Sequence, residues 1–321
     1  MDTVLQTRDL RRSFASRRGV VEAVAGVDLN VKAGEIFGFL GPNGAGKTTA
    51  LRILATLLQP SSGEAMVAGF DLRRRPNRVR EHVGYVGQQA GADPSLTGRT
   101  ELAFQGQLYR MSAAEASRRA DELLSILELT DCADRATETY SGGQRRRLDV
   151  GLGLMHRPRL LFLDEPTTGL DPQSRAHLWD EVRRLGEGGT TIFLTTHYMD
   201  EADALCDRIA VIDHGKIVAE GTPHALKAEI AGDLVLIGVG DRSDAALALL
   251  RDQPFTREVP DSVPTNGHIR LYVDRGETAM PAILRLLDGA GLSLETIALA
   301  RPSLDDVFLR KTGRSLREVV G

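Results

Sequence analysis

Gly41, Pro42, Asn43, Gly44, Ala45, Gly46, Lys47 and Thr48 follow one another in the pattern G-x-x-x-x-G-K-[ST], directly behind the apolar run Ile36–Leu40. Residue types at that spacing suit one chemistry. Glycines free backbone N–H groups to point at phosphate oxygens, and the positive end of the following helix adds to the attraction. Lys47 supplies a point charge able to reach β- and γ-phosphates, the Thr48 hydroxyl helps hold Mg²⁺, and Thr49 completes the binding stretch. At average residue usage the four fixed positions recur by chance about once in 30,000 places, so a plain glycine turn is the weak reading and binding of a nucleoside triphosphate the strong one.

Two further groups carry chemistry. Leu160–Leu163 is an apolar run that ends in Asp164 and Glu165. Such a strand tip places one carboxylate for Mg²⁺ and the next as a general base that polarises water. Strands ending in acids are common, so this motif gains its weight from the phosphate loop upstream in the same chain. Ser141, Gly142, Gly143 and Gln144 precede the helical run Arg145–Met155. Ser and Gln three apart make a capping box, and two glycines admit a close ligand, so a second phosphate-seeking helix start is expected; a cap without a ligand is the plainer reading.

These groups need a frame. Ile36–Leu40 reads as a buried strand and Thr48–Leu58 as the helix after the loop. Val24–Val31 also reads as a strand. The stretch from about Gly91 to Met155 is expected to be a mainly helical insertion, since Ala116, Ala120, Leu123, Leu124 and Leu127 recur at helical spacing. Strands return at Leu160–Leu163, Thr191–Thr195 and Ile209–Ile212, with helices at Gln173–Leu185 and Met199–Cys206, an alternation that means a parallel sheet. A composition break falls at Ala231-Gly232-Asp233. Beyond it the pattern is strand Leu234–Val239, helix Asp244–Leu250, a weak strand Phe255–Val259 between Pro254 and Pro260, strand Ile269–Val273, helix Thr278–Ala290 and strand Leu294–Leu299. That order, β-α-β-β-α-β, is compatible with a small ferredoxin-like domain.

Composition narrows the function. The 321 residues carry 40 Lys and Arg against 44 Asp and Glu, a net charge of −4, which does not favour a nucleic-acid partner. Arg73, Arg74, Arg75, Arg78 and Arg80 read as a solvated face. Two cysteines, Cys132 and Cys206, are too few for a disulfide framework or metal motif. No stretch free of Asp, Glu, Lys and Arg is longer than Gly188–Met199, whereas a membrane helix needs about 20 apolar residues, and no secretory leader is expected.

The set Gly41–Thr48, Gln88 in Tyr85-Val86-Gly87-Gln88, Ser141–Gln144, Leu161–Glu165, Gly169-Leu170-Asp171 and His197 in Thr195-Thr196-His197 resembles an ABC-type ATPase, in that family's order, over residues 3 to 230. The resemblance implies an α/β fold: a P-loop NTPase parallel-sheet core with a helical insertion subdomain and a small α+β C-terminal domain. Residues 1–231 then form the nucleotide-binding domain, with the helical subdomain at about 91–155, and residues 232–321 an accessory or dimerisation domain. It further implies that ATP lies between two copies arranged head to tail, the phosphate loop of one facing the Ser141 turn of the other. By the same resemblance Gln88 touches Mg²⁺ and links nucleotide to transport, Asp171 reaches across the dimer, His197 bonds the γ-phosphate and Phe14 stacks on adenine.

Tyr140 stands where the family usually has Leu, and Gly87 where it has Pro. With the ending Pro302–Leu309 these departures resemble the daunorubicin/doxorubicin-resistance branch, many members of which carry Gln where this chain has His197. The ending itself reads either as a helix capped by Ser303 that packs Leu304, Val307 and Phe308 on its own domain, or as a dimer or partner contact. The resemblance implies an ATPase that powers export of a hydrophobic drug through a separate polytopic permease of the ABC-2 type, at the cytoplasmic face of the membrane and touching it only through that permease. Export of a lipid or polysaccharide leaves similar marks here. A soluble ATPase acting on ribosomes or DNA is the competing class; one cassette, and no room for a long heptad arm between Lys47 and Ser141, count against it. The C-terminal domain as a ligand sensor remains a third reading.

Overall fold

Ile36–Leu40 contains no charge, and it forms a strand buried along its whole length. The structure, a computed structural model, describes residues 2–16, 19–89, 91–230, 232–259, 268–300 and 302–314. Ala231 and Pro260, which mark the composition break and flank the weak strand, lie outside the described residues. The chain divides into two units, Met1–Thr222 and Pro223–Gly321.

In chain order the first unit runs β1 (Thr3–Ser16), β2 (Gly19–Lys32), β3 (Ile36–Leu40), α1 (Lys47–Leu54), β4 (Ser62–Val67), β5 (Phe70–Asp71), α2 (Pro76–Arg80), β6 (Val83–Val86), α3 (Gly98–Leu108), α4 (Ala113–Ile126), α5 (Gly142–Leu154), β7 (Leu160–Asp164), α6 (Pro172–Glu187), β8 (Thr191–Thr196), α7 (Met199–Leu205), β9 (Arg208–Asp213) and β10 (Lys216–Gly221). One sheet has the order β10-β9-β3-β8-β7-β6, another the order β2-β1-β4-β5. In the first, β9, β3, β8, β7 and β6 pair in parallel and only β10 runs antiparallel. Strands β3, β7 and β8 are wholly buried, as near-continuous apolar runs in a parallel sheet must be. Phe37, Phe162 and Phe193 meet in its centre, with Phe37 and Phe193 stacked at 5.4 Å.

Helix α1 stops at Leu54, short of the expected Leu58. Thr56 takes a left-handed φ of 64°, and the amides of Leu57 and Leu58 turn back to the carbonyl of Arg52, returning Leu58 to the core. A helix-ending left-handed residue is normally Gly, so Thr there gave no stop signal. Between β6 and β7 the insertion is helical: α4 starts at a capping box of Ser112 and Glu115 and buries Ala116, Ala120, Leu123 and Leu124.

The second unit contains α8 (Pro223–Ala228), β11 (Asp233–Gly238), α9 (Ser243–Arg251), β12 (Thr256–Glu258), β13 (His268–Val273), α10 (Gly276–Gly289), β14 (Thr296–Ala300) and α11 (Leu304–Thr312). From β11 to β14 this is the β-α-β-β-α-β order, and the sheet is β12-β13-β11-β14 with every pair antiparallel, a ferredoxin-like topology. Val235, Ile237 and Leu271 pack with Ala246, Leu250, Ile283 and Leu287 of α9 and α10. The unit begins before the composition break because α8 packs with α11 and buries Leu226, while Arg310 of α11 donates to the carbonyl of Glu229.

Helix α11 shows how the tail is held. Leu304, Val307 and Phe308 are buried, and Ser303 caps the helix through a capping box with Asp306. Asp306 is 1% exposed, accepts from the Tyr272 hydroxyl at 2.9 Å and pairs with Arg270. Asp306→Ala removes the cap partner and strands the buried Tyr272 hydroxyl and the part-buried Arg270 guanidinium, and is expected to cost about 2–4 kcal/mol. Hydrogen exchange of the β11 and β13 amides in the full chain should accelerate accordingly; unchanged protection would contradict this packing.

Candidate functional site

The phosphate loop is shaped by what its residues must avoid. Gly46 has φ 106°, and a Cβ there would lie 2.1 Å from the carbonyl oxygen of Ala23, so only glycine fits. The loop is pinned to its sheet by Gly41 N–H, which donates to Thr196 O at 3.2 Å, and by Gly215 N–H, which donates to Ala45 O at 2.9 Å. Gly41, Pro42 and Ala45 are buried, Asn43 and Gly44 exposed, and Thr49 half-buried on the first turn of α1.

Lys47 is 4% exposed. Its Nζ donates to Gly41 O at 2.8 Å and Pro42 O at 3.0 Å, and lies 3.2 Å from Glu165 Oε1. Burial pulls the ammonium below the usual lysine range, while Glu165 and Asp164 push it back up. Asp164 at the tip of β7 is fully buried; its Oδ1 accepts from Thr48 Oγ1 at 3.0 Å and from Thr195 Oγ1 at 2.7 Å. Its Oδ2 is buried and accepts no hydrogen bond from the described residues. Gln88 Nε2 donates to Thr48 Oγ1 at 3.4 Å.

Glu165 adopts φ 46°, a left-handed conformation uncommon outside glycine. Its N–H is fixed by Thr195, which accepts through both O and Oγ1 at 3.1 Å. Glu165 Oε2 lies 3.2 Å from His197 Nδ1 and accepts from Thr168 Oγ1 at 3.3 Å. Burial would raise this carboxyl, but His197 and Lys47 outweigh it and hold it at about 2.

The structure therefore gathers Lys47, Thr48, Gln88, Asp164, Glu165 and His197 into one cluster. Among the described residues, no hydrogen bond or ion pair connects Phe14, Ser141, Gly142, Gly143, Gln144 or Asp171 to it. Ser141 is exposed and caps α5, exchanging bonds with Gln144. A Cβ on Gly143 would lie 2.8 Å from Ser174 Oγ, whereas one on Gly142 would meet nothing closer than Leu170 at 3.7 Å. Asp171 caps α6, accepting from the amides of Gln173 and Ser174, and the Ser174 bonds hold its carboxyl below the usual range. Phe14 on β1 is 37% exposed and carries the Arg12 guanidinium 4.7 Å from its ring centroid.

Some participants were not visible in the sequence. Thr195 holds both Asp164 and Glu165; a polar pair, Thr195-Thr196, closing an apolar parallel strand was its only signal. Arg146 is buried between the Gln88 turn and the Glu165 turn. Tyr140 is buried and donates to Cys132 O at 2.7 Å, a partner the usual leucine could not use. A second cluster, Glu128, His177 and Glu181, has metal-ligand types within 4.8 Å of one another. Arg147 and Arg184 thread it, so it is an ion-pair network linking α5 and α6. Arg73, Arg74, Arg75, Arg78 and Arg80 are all exposed.

Comparison with known proteins places this geometry. Residues 24–168 match the family model described as ABC transporter, and residues 221–312 the model of the C-terminal domain of DrrA1-3-like ATP-binding proteins. The chain is 46% identical to a daunorubicin resistance ATP-binding protein of Streptomyces coeruleorubidus over 94% of each chain. It is 35% identical to a linearmycin resistance ATP-binding protein of Bacillus subtilis, over 98% of this chain and 100% of the other. A solved ATP-binding cassette, a dimer in a post-hydrolysis state with ADP and Pi, is 26% identical, with a TM-score of 0.62 over 68% of this chain and 98% of its own.

The Glu165 carboxyl supplies a pH test. Its folded value, about 2, lies below the unfolded 4.5, so the native state binds fewer protons. The stability it contributes is complete above pH 4.5 and is lost as pH falls toward 2. Glu165→Gln should flatten the change in urea midpoint between pH 6 and pH 3; an unaltered pH dependence would show that Glu165 is not paired as described.

Proposed function

The chain belongs to the ATP-binding proteins of ABC transporters, in the daunorubicin-resistance branch, and from that membership we propose that it binds and hydrolyses ATP to drive efflux of a hydrophobic, antibiotic-like compound through a separate membrane subunit. The observation that carries the reading is the cluster at the ends of β3, β7 and β8, where a buried lysine and two carboxylates converge from segments far apart in sequence. That arrangement suits a triphosphate with its attacking water. Lys47 would hold the β- and γ-phosphates, and Glu165 would take the proton from water, with His197 bonding the γ-phosphate beside it.

The donor set fits Mg²⁺: Thr48 and Gln88 offer oxygens, and Asp164 Oδ2 is buried with no hydrogen bond to accept. Bound there, the ion would neutralise phosphate charge. Gly41 to Gly46 and Thr49 complete the phosphate contacts, and Phe14 stacks on adenine.

In this reading two copies pair head to tail, and the Ser141–Gln144 turn and Asp171 serve the partner's nucleotide. Attraction of the γ-phosphate to that turn favours the closed pair; hydrolysis removes it and the pair reopens. The permease, of the ABC-2 type, would dock at a groove of about 320 Å³ lined by Leu57, Tyr85, Gly87, Gln105, Tyr109 and Leu152, beside Gln88. No helix among the described residues is long and apolar enough to cross a membrane, so membrane attachment at the cytoplasmic face would come through that partner. The first unit would act as the motor, the second as an accessory domain. The names of the two resistance proteins above favour a drug over a lipid or polysaccharide as cargo.

Glu165→Gln should bind ATP yet hydrolyse it about 10²–10⁴-fold more slowly and accumulate as a nucleotide-locked dimer. Lys47→Ala should fail at binding. Wild-type turnover in the first variant, or full ATP affinity in the second, refutes these roles. For the cargo, cells expressing the chain with its permease should retain less of a fluorescent anthracycline than cells carrying Lys47→Ala; equal retention would redirect the search to other substrates.

A further inference from the structure

Arg145, Arg146 and Arg147 form a run that charge alone would leave in solvent, yet Arg146 is 7% exposed. On α5 it shares a face with Asp149, Val150 and Gly153, all buried. Its Nε donates to Pro166 O at 2.7 Å, Nη2 to Asp164 O at 3.1 Å and Nη1 to Gly87 O at 2.5 Å, while its carboxylate neighbour Asp149 stands off at 4.0 Å. The guanidinium is thus committed to three backbone carbonyls. Two belong to the residues on either side of Glu165, the third to the residue before Gln88.

One turn further along the same helix, Asp149 Oδ1 accepts from Gly91 N–H at 2.9 Å. Helix α5 therefore grips the Gln88 turn at both ends. It also grips the Glu165 turn across a residue whose φ of 46° would relax without restraint. The start of α5 is the Ser141–Gln144 turn.

We propose that Arg146 is a positioning residue for hydrolysis: its planar fork locks the Glu165 peptide and the Gln88 turn to α5, so that a load on the Ser141 end of the helix shifts the general base and Gln88 together. This rests on the ATPase reading. It deepens that reading by assigning the link between the turn that faces a partner's nucleotide and the base of the chain's own site. Lysine cannot substitute, because one ammonium cannot span carbonyls diverging from two segments.

The test uses the full chain with R146K and R146Q. Both should lower kcat about 10- to 100-fold while ATP affinity, measured by equilibrium binding, stays within about threefold, because the phosphate loop is untouched. R146K, which keeps the charge, guards against misfolding and should fail to rescue. In the E165Q background R146Q should cost clearly less than its about 10- to 100-fold effect in the wild-type chain, since the part that acts through Glu165 has nothing left to position and only the hold on the Gln88 turn remains. Turnover within twofold of wild type in both single variants, affinity falling in step with kcat, or a full multiplicative loss in the double variant would each overturn the proposal. E165Q alone at wild-type rate would instead sink the ATPase reading beneath it.

Discussion

The pairing of Lys47 with Glu165 is the contact on which the rest of the site is built. Opposite charges 3.2 Å apart, with side chains 4% and 10% exposed, attract strongly only because water is largely excluded, and the same exclusion makes either charge costly alone. The sheet order determines how they meet. Lys47 follows β3 and Glu165 follows β7, with β8 between them, and β8 places Thr195 under Asp164 and Glu165 and sends His197 to the far side of the carboxylate.

This arrangement gives the proposed reaction its electrostatic logic. A carboxylate held at about 2 is a poor base, because ammonium and imidazole stabilise its charge. Triphosphate oxygens competing for Lys47 would loosen one of those restraints, so the base would strengthen only when substrate is in place. The backbone at Glu165 cannot follow such a change freely, being tied through its own N–H to β8 and through both flanking carbonyls to Arg146.

What was legible in the sequence is what lies close along the chain. The phosphate loop, the acid-tipped strand and the capping box of Ser141 are local patterns whose chemistry depends on neighbours a few residues away. The β-α-β-β-α-β order of the second unit was legible for the same reason, since it needs only alternating apolar periods. Thr56, Thr195, Tyr140 and Arg146 were not. Thr56 ends a helix against its residue preference; Thr195 and Arg146 take partners 31 and 59 residues away, Asp164 and Gly87, and Tyr140 bonds Cys132, eight residues back and outside any motif. A run of three arginines reads as a solvated face until the helix phase is known. The start of the second unit was hidden likewise, because α8 joins it through α11, which lies near the other end of the chain.

The two glycines after Ser141 bear differently on the proposed second copy. Glycine lacks alanine's helix preference, worth roughly 0.5–1 kcal/mol at an interior position, so two glycines in the first turn invite a reason. Gly143 has one inside its own chain, for a Cβ would press on Ser174 at 2.8 Å. Gly142 has none there: a Cβ would stand in ordinary contact with Leu170 at 3.7 Å, and its neighbour Ser141 is exposed. A bare backbone at the positive end of a helix is of use to a ligand that approaches closely and carries negative charge. The chain's own lysine, threonine and aspartate are gathered elsewhere, around the phosphate loop. In the proposed pair, a phosphate held on another copy would approach the bare backbone at Gly142, and Arg146, five residues into the same helix, would sense it.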